Sequence, residues 1–90
     1  MKIKEDYIIK KLGAGYVVVT VGQASKDFNG MIRLNATGAE IWKMLQADWC
    51  TEEMIVQDLV ARCEGAQESK VREDVSAFLE KIRFAVEEEN

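Results

Sequence analysis

The chain has 90 residues, 48% of them hydrophobic and 31% charged, which suits one globular domain spanning residues 1–90 with a single modest core. Its net charge of −4 and pI of about 4.8 argue against a nucleic-acid binder, which needs a basic face to displace counterions from phosphate. No apolar run approaches the ~20 residues of a membrane span, and Met1-Lys2-Ile3-Lys4-Glu5-Asp6 has no apolar stretch behind its lysines, so no secretory signal is read and a cytoplasmic location is expected.

The first third reads as strands. Tyr7-Ile8-Ile9-Lys10-Lys11 is followed by a turn at Gly13-Ala14-Gly15. Tyr16-Val17-Val18-Val19-Thr20-Val21 is dominated by β-branched and aromatic residues, a strong strand pattern. Both of its faces are apolar, which predicts the central strand. Gly22 to Gly30 is a polar loop whose Asn29-Gly30 end tolerates positive φ. Met31-Ile32-Arg33-Leu34 is a short third strand.

Three helices follow. Asn35 or Thr37 can cap the first, with Ile41, Trp42 and Leu45 as its buried stripe. Thr51 caps the second, and Glu52 and Glu53 suit its positive N-terminal end. Its apolar stripe is Ile55, Leu59 and Cys63, widened by Met54 and Val60, and Gly65 is a stop. The third places Val71, Val75, Phe78 and Ile82 on one face, joined by Leu79 and Val86, with a charged outer face and a solvated acidic tail at Glu87-Glu88-Glu89-Asn90. The fold class implied is α+β: a three-stranded antiparallel sheet followed by a three-helix cluster, close to winged-helix architecture.

No constellation for catalysis is visible. There is no histidine to serve as a base, and no catalytic residue, metal ligand set or cofactor site is assigned. Glu52/Glu53 and Glu73/Asp74 are neighbours on helices, which point in different directions, so they read as capping and solvated surface. Gly13-x-Gly15 joins two strands rather than opening a helix, so it reads as a turn and not a phosphate loop. Cys50 and Cys63 form no CxxC motif, and a disulfide is not expected in a reducing compartment. Trp42 reads as core. Trp49, in the turn before the second helix, either lids the core or lies at a contact surface.

The strand edges are more informative. In a meander the first and third strands are both edges. The first is guarded by Lys4, Lys10 and Lys11, whereas Met31 to Leu34 has only Arg33. A short unguarded edge is where an extended peptide can add a strand, although a dimer partner can bury it instead.

The segment Phe28-Asn29-Gly30-Met31-Ile32-Arg33-Leu34-Asn35-Ala36-Thr37-Gly38-Ala39-Glu40-Ile41-Trp42 resembles the PqqD family, the stand-alone precursor-peptide recognition element. Its core is Leu34-Asn35-x-Thr37-Gly38, at the strand-to-helix junction. Thr51-Glu52-Glu53 and Val71-Arg72-Glu73-Asp74-Val75 before Phe78-Leu79 agree as well. At the junction Asn35 can end the strand and cap the helix, and Gly38 lets a neighbouring backbone or ring approach closely.

The resemblance implies a non-enzymatic peptide chaperone. Such a protein binds the leader of a ribosomally made precursor peptide and presents it to a radical S-adenosylmethionine enzyme, in pyrroloquinoline quinone or another peptide-derived pathway. It implies binding at Met31, Ile32, Arg33 and Leu34 by strand addition, and at Val71, Val75, Phe78 and Leu79 on the last helix. Lys70 and Arg72 would then meet acidic leader residues. Two departures stand out. Ala47-Asp48-Trp49-Cys50 replaces the usual glycine between the first two helices. Phe84-Ala85-Val86-Glu87 replaces the usual ending and suggests a longer final helix. The alternatives are a winged-helix DNA-binding regulator and a structural homodimer or adaptor, the latter with its first two strands exchanged between protomers.

Overall fold

The computed structural model describes residues 1–5, 7–21 and 31–88. The polar loop read at Gly22 to Gly30, including Asn29-Gly30, and the tail end Glu89-Asn90 lie outside the described residues, as does the side chain of Met31. The elements in chain order are β1 (Lys2–Ile3), β2 (Tyr7–Leu12), β3 (Gly15–Thr20), β4 (Met31–Leu34), α1 (Ala36–Ala47), α2 (Glu52–Arg62), α3 (Glu68–Lys81), a 3-10 turn (Arg83–Ala85) and β5 (Val86–Glu87). The fold is α+β, with a three-stranded antiparallel sheet in the order β2-β3-β4 and a separate pairing of β1 with β5.

The β-branched run of β3 sits at the centre of the sheet, as its two apolar faces require. Leu12 pairs with Gly15 across a two-residue turn, and Gly13 supplies the left-handed φ of +61° that the turn needs. Register then sorts the side chains. Tyr7, Ile9, Tyr16, Val18, Ile32 and Leu34 share the face that packs on the helices. Ile8, Lys10, Leu12, Val17, Val19 and Arg33 occupy the outer face.

On the inner face Trp42 is fully buried. The Tyr7 ring meets it edge-on at 6.1 Å and meets Phe84 at 5.9 Å. Asn35 caps α1, its Oδ1 accepting the Gly38 N–H at 2.7 Å. Ile41, Trp42 and Leu45 are its buried stripe. Thr51 caps α2, its Oγ1 accepting the Met54 N–H at 3.1 Å.

Three assignments change in the helical part. Met54 does not widen the α2 stripe: it is 52% exposed, and its Sδ faces the Thr51 N–H at 3.5 Å. Val56 is buried in its place beside Ile55 and Leu59. Cys63 is exposed, whereas Cys50 is buried, because α2 ends at Arg62 and the chain turns away through Gly65 at φ +77°.

The final helix is not extended through Val86. It stops at Lys81 and gives way to the 3-10 turn and β5. The physical reason lies at the other end of the chain. Ala85 O accepts the Lys4 N–H at 2.8 Å, Ile3 pairs with Val86, and Ile3 and Ala85 are buried. Pairing with β1 satisfies backbone groups that a longer helix would otherwise use, and it buries two apolar side chains. Among the described residues no helix is long and apolar enough to cross a membrane.

Candidate functional site

The backbone of β4 sets the first half of the site. In a two-residue hairpin the pair flanking the turn is hydrogen-bonded, and the pairs then alternate. Leu12 and Gly15 flank this turn, so Lys10–Val17 and Ile8–Val19 are also bonded pairs. Tyr16 and Val18 therefore bond across to Leu34 and Ile32. Two contacts agree with this phase. The Tyr7 carbonyl turns away from β3 and accepts from Gln46 Nε2 at 3.4 Å. The Leu34 carbonyl oxygen lies on the β3 side, 3.3 Å from where a Cβ on Gly15 would stand. The alternation leaves the N–H and C=O of Met31 and Arg33 pointing away from β3. Among the described residues no strand pairs with that edge.

The second half is an open groove of about 550 Å³ at the junction of β4 with α1, closed on its far side by α2 and α3. Ile41, Leu59, Val71, Val75 and Phe78 give it apolar walls, and Asn35, Thr37 and Asp74 give it a polar rim. Its tightest point is Gly38. A Cβ there would stand 2.9 Å from Phe78 Cε1 and 3.3 Å from Asn35 Oδ1. The absence of a side chain is what lets the ring lie against the first turn of α1.

The predicted residues divide between these features. Val71, Val75 and Phe78 lie together on the groove side of α3. Leu79 does not join them: it is 8% exposed and faces a smaller depression beside Met1 and Val86. Ile32 and Leu34 pack inward and Arg33 is exposed. None of these three lines the groove, which opens past the end of β4 rather than along it.

Lys70 is paired with Asp74 at 3.0 Å, a contact that raises its pKa. Arg72 is engaged by Glu53 and by Glu68, the latter at 3.2 Å, and joins α2 to α3. The hydrogen bond from Arg72 holds the Glu53 carboxyl below its ordinary value, with Gln57 assisting. For Glu68 the Gln57 hydrogen bond acts first and Arg72 second.

Gly38, Ile41, Leu59 and Asp74 line the groove but are not among the residues that the resemblance assigns to binding. The junction motif marks Gly38 as a place of close approach, Ile41 and Leu59 read as core stripe, and Asp74 reads as solvated surface. Asp74 shares the i, i+3, i+4 face of Val71 and Phe78, which is the signal for it in the sequence. Among the described residues no group of three or more histidine, cysteine, aspartate or glutamate side chains is placed to hold a metal. What the arrangement offers is backbone pairing along one edge and an apolar recess beside it.

The comparisons with known proteins fit this layout. No curated protein matches the chain. The solved structure of TbiB1 in complex with the TbiA(beta) leader peptide has a similar fold, with a TM-score of 0.75 at 22% identity, covering 100% of this chain and 99% of that one. The family described as coenzyme PQQ synthesis protein D (PqqD) matches residues 15–84, a span that includes β3, β4, the junction motif and all three helices. A match of that extent places the chain in the PqqD family.

Proposed function

We propose that this protein binds the leader of a ribosomally synthesised precursor peptide as an added strand on β4 and presents it to a radical S-adenosylmethionine enzyme. The observation that carries the proposal is the outward N–H and C=O of Met31 and Arg33 on an edge that ends at an apolar groove. Membership of the PqqD family and the leader peptide bound to TbiB1 support it.

The energetics are those of strand addition. Each main-chain hydrogen bond contributes a net ~0.5–1.5 kcal/mol. An apolar leader side chain buried in the groove contributes ~1.5–3 kcal/mol. The loss of translational and side-chain freedom offsets much of the sum. Binding in the micromolar to sub-micromolar range follows. The role proposed is recognition rather than catalysis, supported by the PqqD family match and by the leader peptide that TbiB1 holds.

Titration of isotopically labelled protein with its cognate leader, followed by amide NMR, tests the reading. Shifts should appear first at residues 31–34 and along α3 from Val71 to Phe78. Perturbation confined to β2 or to the outer surface of α2 would show that strand addition at β4 is wrong.

A further inference from the structure

We propose that Arg33 selects leaders carrying a carboxylate between two apolar residues, a deeper statement that rests on strand addition at β4. Strand alternation fixes the geometry. Ile32 and Leu34 point inward and Arg33 points to the outer face. A strand added to this edge, in either direction, places one side chain beside Arg33 on the outer face. The flanking side chains fall on the inner face beside Ile32 and Leu34. The segment recognised therefore reads apolar, acidic, apolar.

The charge at the central position follows from the pairing of the other arginines. Arg62, Lys70, Arg72 and Arg83 all lie in ion pairs, and Lys43 stands over the Tyr16 ring at 5.0 Å. Arg33 is exposed and has no ion-pair partner among the described residues. The three sheet strands carry Lys10, Lys11 and Arg33 and no acidic residue, in a chain of net charge −4. Lys10 lies in the same cross-strand row as Arg33, with Val17 between them. An incoming carboxylate lies directly beside Arg33 and meets no competing acid on this row, while Lys10, on the far edge of the sheet about 14 Å away, adds only a screened attraction. An incoming lysine meets repulsion. Lys70 and Arg72, the helix cations that the resemblance offers to acidic leader residues, are each engaged by carboxylates of the fold.

Selection from a displayed library of random twelve-residue peptides, run on the intact protein and on Arg33→Glu and Arg33→Gln variants, tests this. The wild type should enrich Asp or Glu flanked by apolar residues. Arg33→Glu should exchange that acid for Lys or Arg at the same position, and Arg33→Gln should enrich neither. Synthetic versions of one enriched peptide should lose about threefold to tenfold in affinity on Asp→Lys exchange, as cross-strand charge pairs do, and less at 0.5 M salt. Circular dichroism of the variants should match the wild type, since residue 33 is exposed. Enriched peptides without an acidic position, or with one that persists in Arg33→Glu, overturn the role of Arg33 while leaving strand addition standing. Failure to enrich any peptide on the wild type counts against peptide binding itself.

Discussion

Gly38 shows how one missing methyl shapes both stability and the site. Inside a helix, alanine is favoured over glycine by about 1 kcal/mol. Here an added Cβ would stand 2.9 Å from Phe78 Cε1 and 3.3 Å from Asn35 Oδ1, and overpacking of this kind costs about 1–3 kcal/mol. The two effects oppose each other, and the second should win because one contact is an aromatic ring and the other is the capping oxygen of α1. Gly38→Ala is expected to lower stability by about 1 kcal/mol in a urea melt. It should also weaken leader binding, because the displaced ring narrows the groove. A variant more stable than wild type would mean that Phe78 swings away freely and does not depend on the glycine.

At the scale of elements, the edge of β4 and the pairing of α2 with α3 make separate demands. Met31 sends its N–H outward, so Met31→Pro removes a donor that β3 does not use, at a strand start where proline is tolerated. Its stability should change little, and its affinity for leader should fall by up to about tenfold, the worth of one hydrogen bond. Ile32→Pro removes a bond to Val18 of β3 instead and leaves its acceptor unpaired, which should cost about 1–3 kcal/mol in thermal unfolding. Equal stability losses in the two variants would show that the hydrogen-bond phase is reversed.

Across α2 and α3, Glu53 and Glu68 ionise more readily in the folded chain than their ordinary value of 4.5, chiefly through hydrogen bonds from Arg72 and Gln57. Groups with depressed folded pKa values contribute fully above the unfolded value, and the contribution is lost as pH falls through the folded one. Stability should therefore drop below about pH 4.5. Arg72→Met should flatten that part of the profile, as read by chemical denaturation at pH 3 to 7. Both carboxylates are solvent-exposed, so the effect is small and fades with salt.

The elements with strong local patterns were legible in the sequence. The β-branched run from Tyr16 reads as a buried strand, which the fold forms through Thr20 while Val21 lies exposed beyond it; of the two cap candidates for α1 the fold uses Asn35, and Thr51 caps α2. The rest depended on contacts distant in sequence. β1 and β5 are two residues each, too short for any periodicity, and they exist because Ile3 and Val86 find each other. Cys63 continued an i+4 series on paper, but the helix ends one residue before it. Leu79 follows Val75 by four residues and so belongs to the same apolar stripe, yet it sits at the edge of that stripe, about 100° round the helix from Phe78, and faces the depression beside Met1 and Val86. The site was thus readable as a strand and a helix, but the recess between them required the fold.

At the scale of the whole molecule, α3 separates two structures. One side lines the groove through Val71, Val75 and Phe78. The other, through Leu79, faces the depression beside Met1 and Val86, where β1 and β5 tie the beginning of the fold to its end. Cys50 joins this tie, since its N–H bonds Met1 O at 2.8 Å and its carbonyl accepts the Met1 ammonium at 2.8 Å.

A domain of this size has only about 5–15 kcal/mol of net stability, so this remote tie matters. Ile3 is 6% exposed within the core cluster, and Ile3→Ala should cost about 2–5 kcal/mol. For a domain of 60–100 residues each kcal/mol moves the melting temperature by roughly 4–8 °C, so the variant should melt at least about 8 °C lower. Leader affinity, measured at a temperature where the variant remains folded, should stay within about twofold of wild type, because neither Ile3 nor its strand partner Val86 lines the groove, although Ile3 belongs to the same core cluster as Ile41, Leu59 and Val75. A large loss of affinity in folded Ile3→Ala protein would mean that α3 transmits strain from the terminal strands to the groove, and that the two sides of the helix cannot be treated as independent.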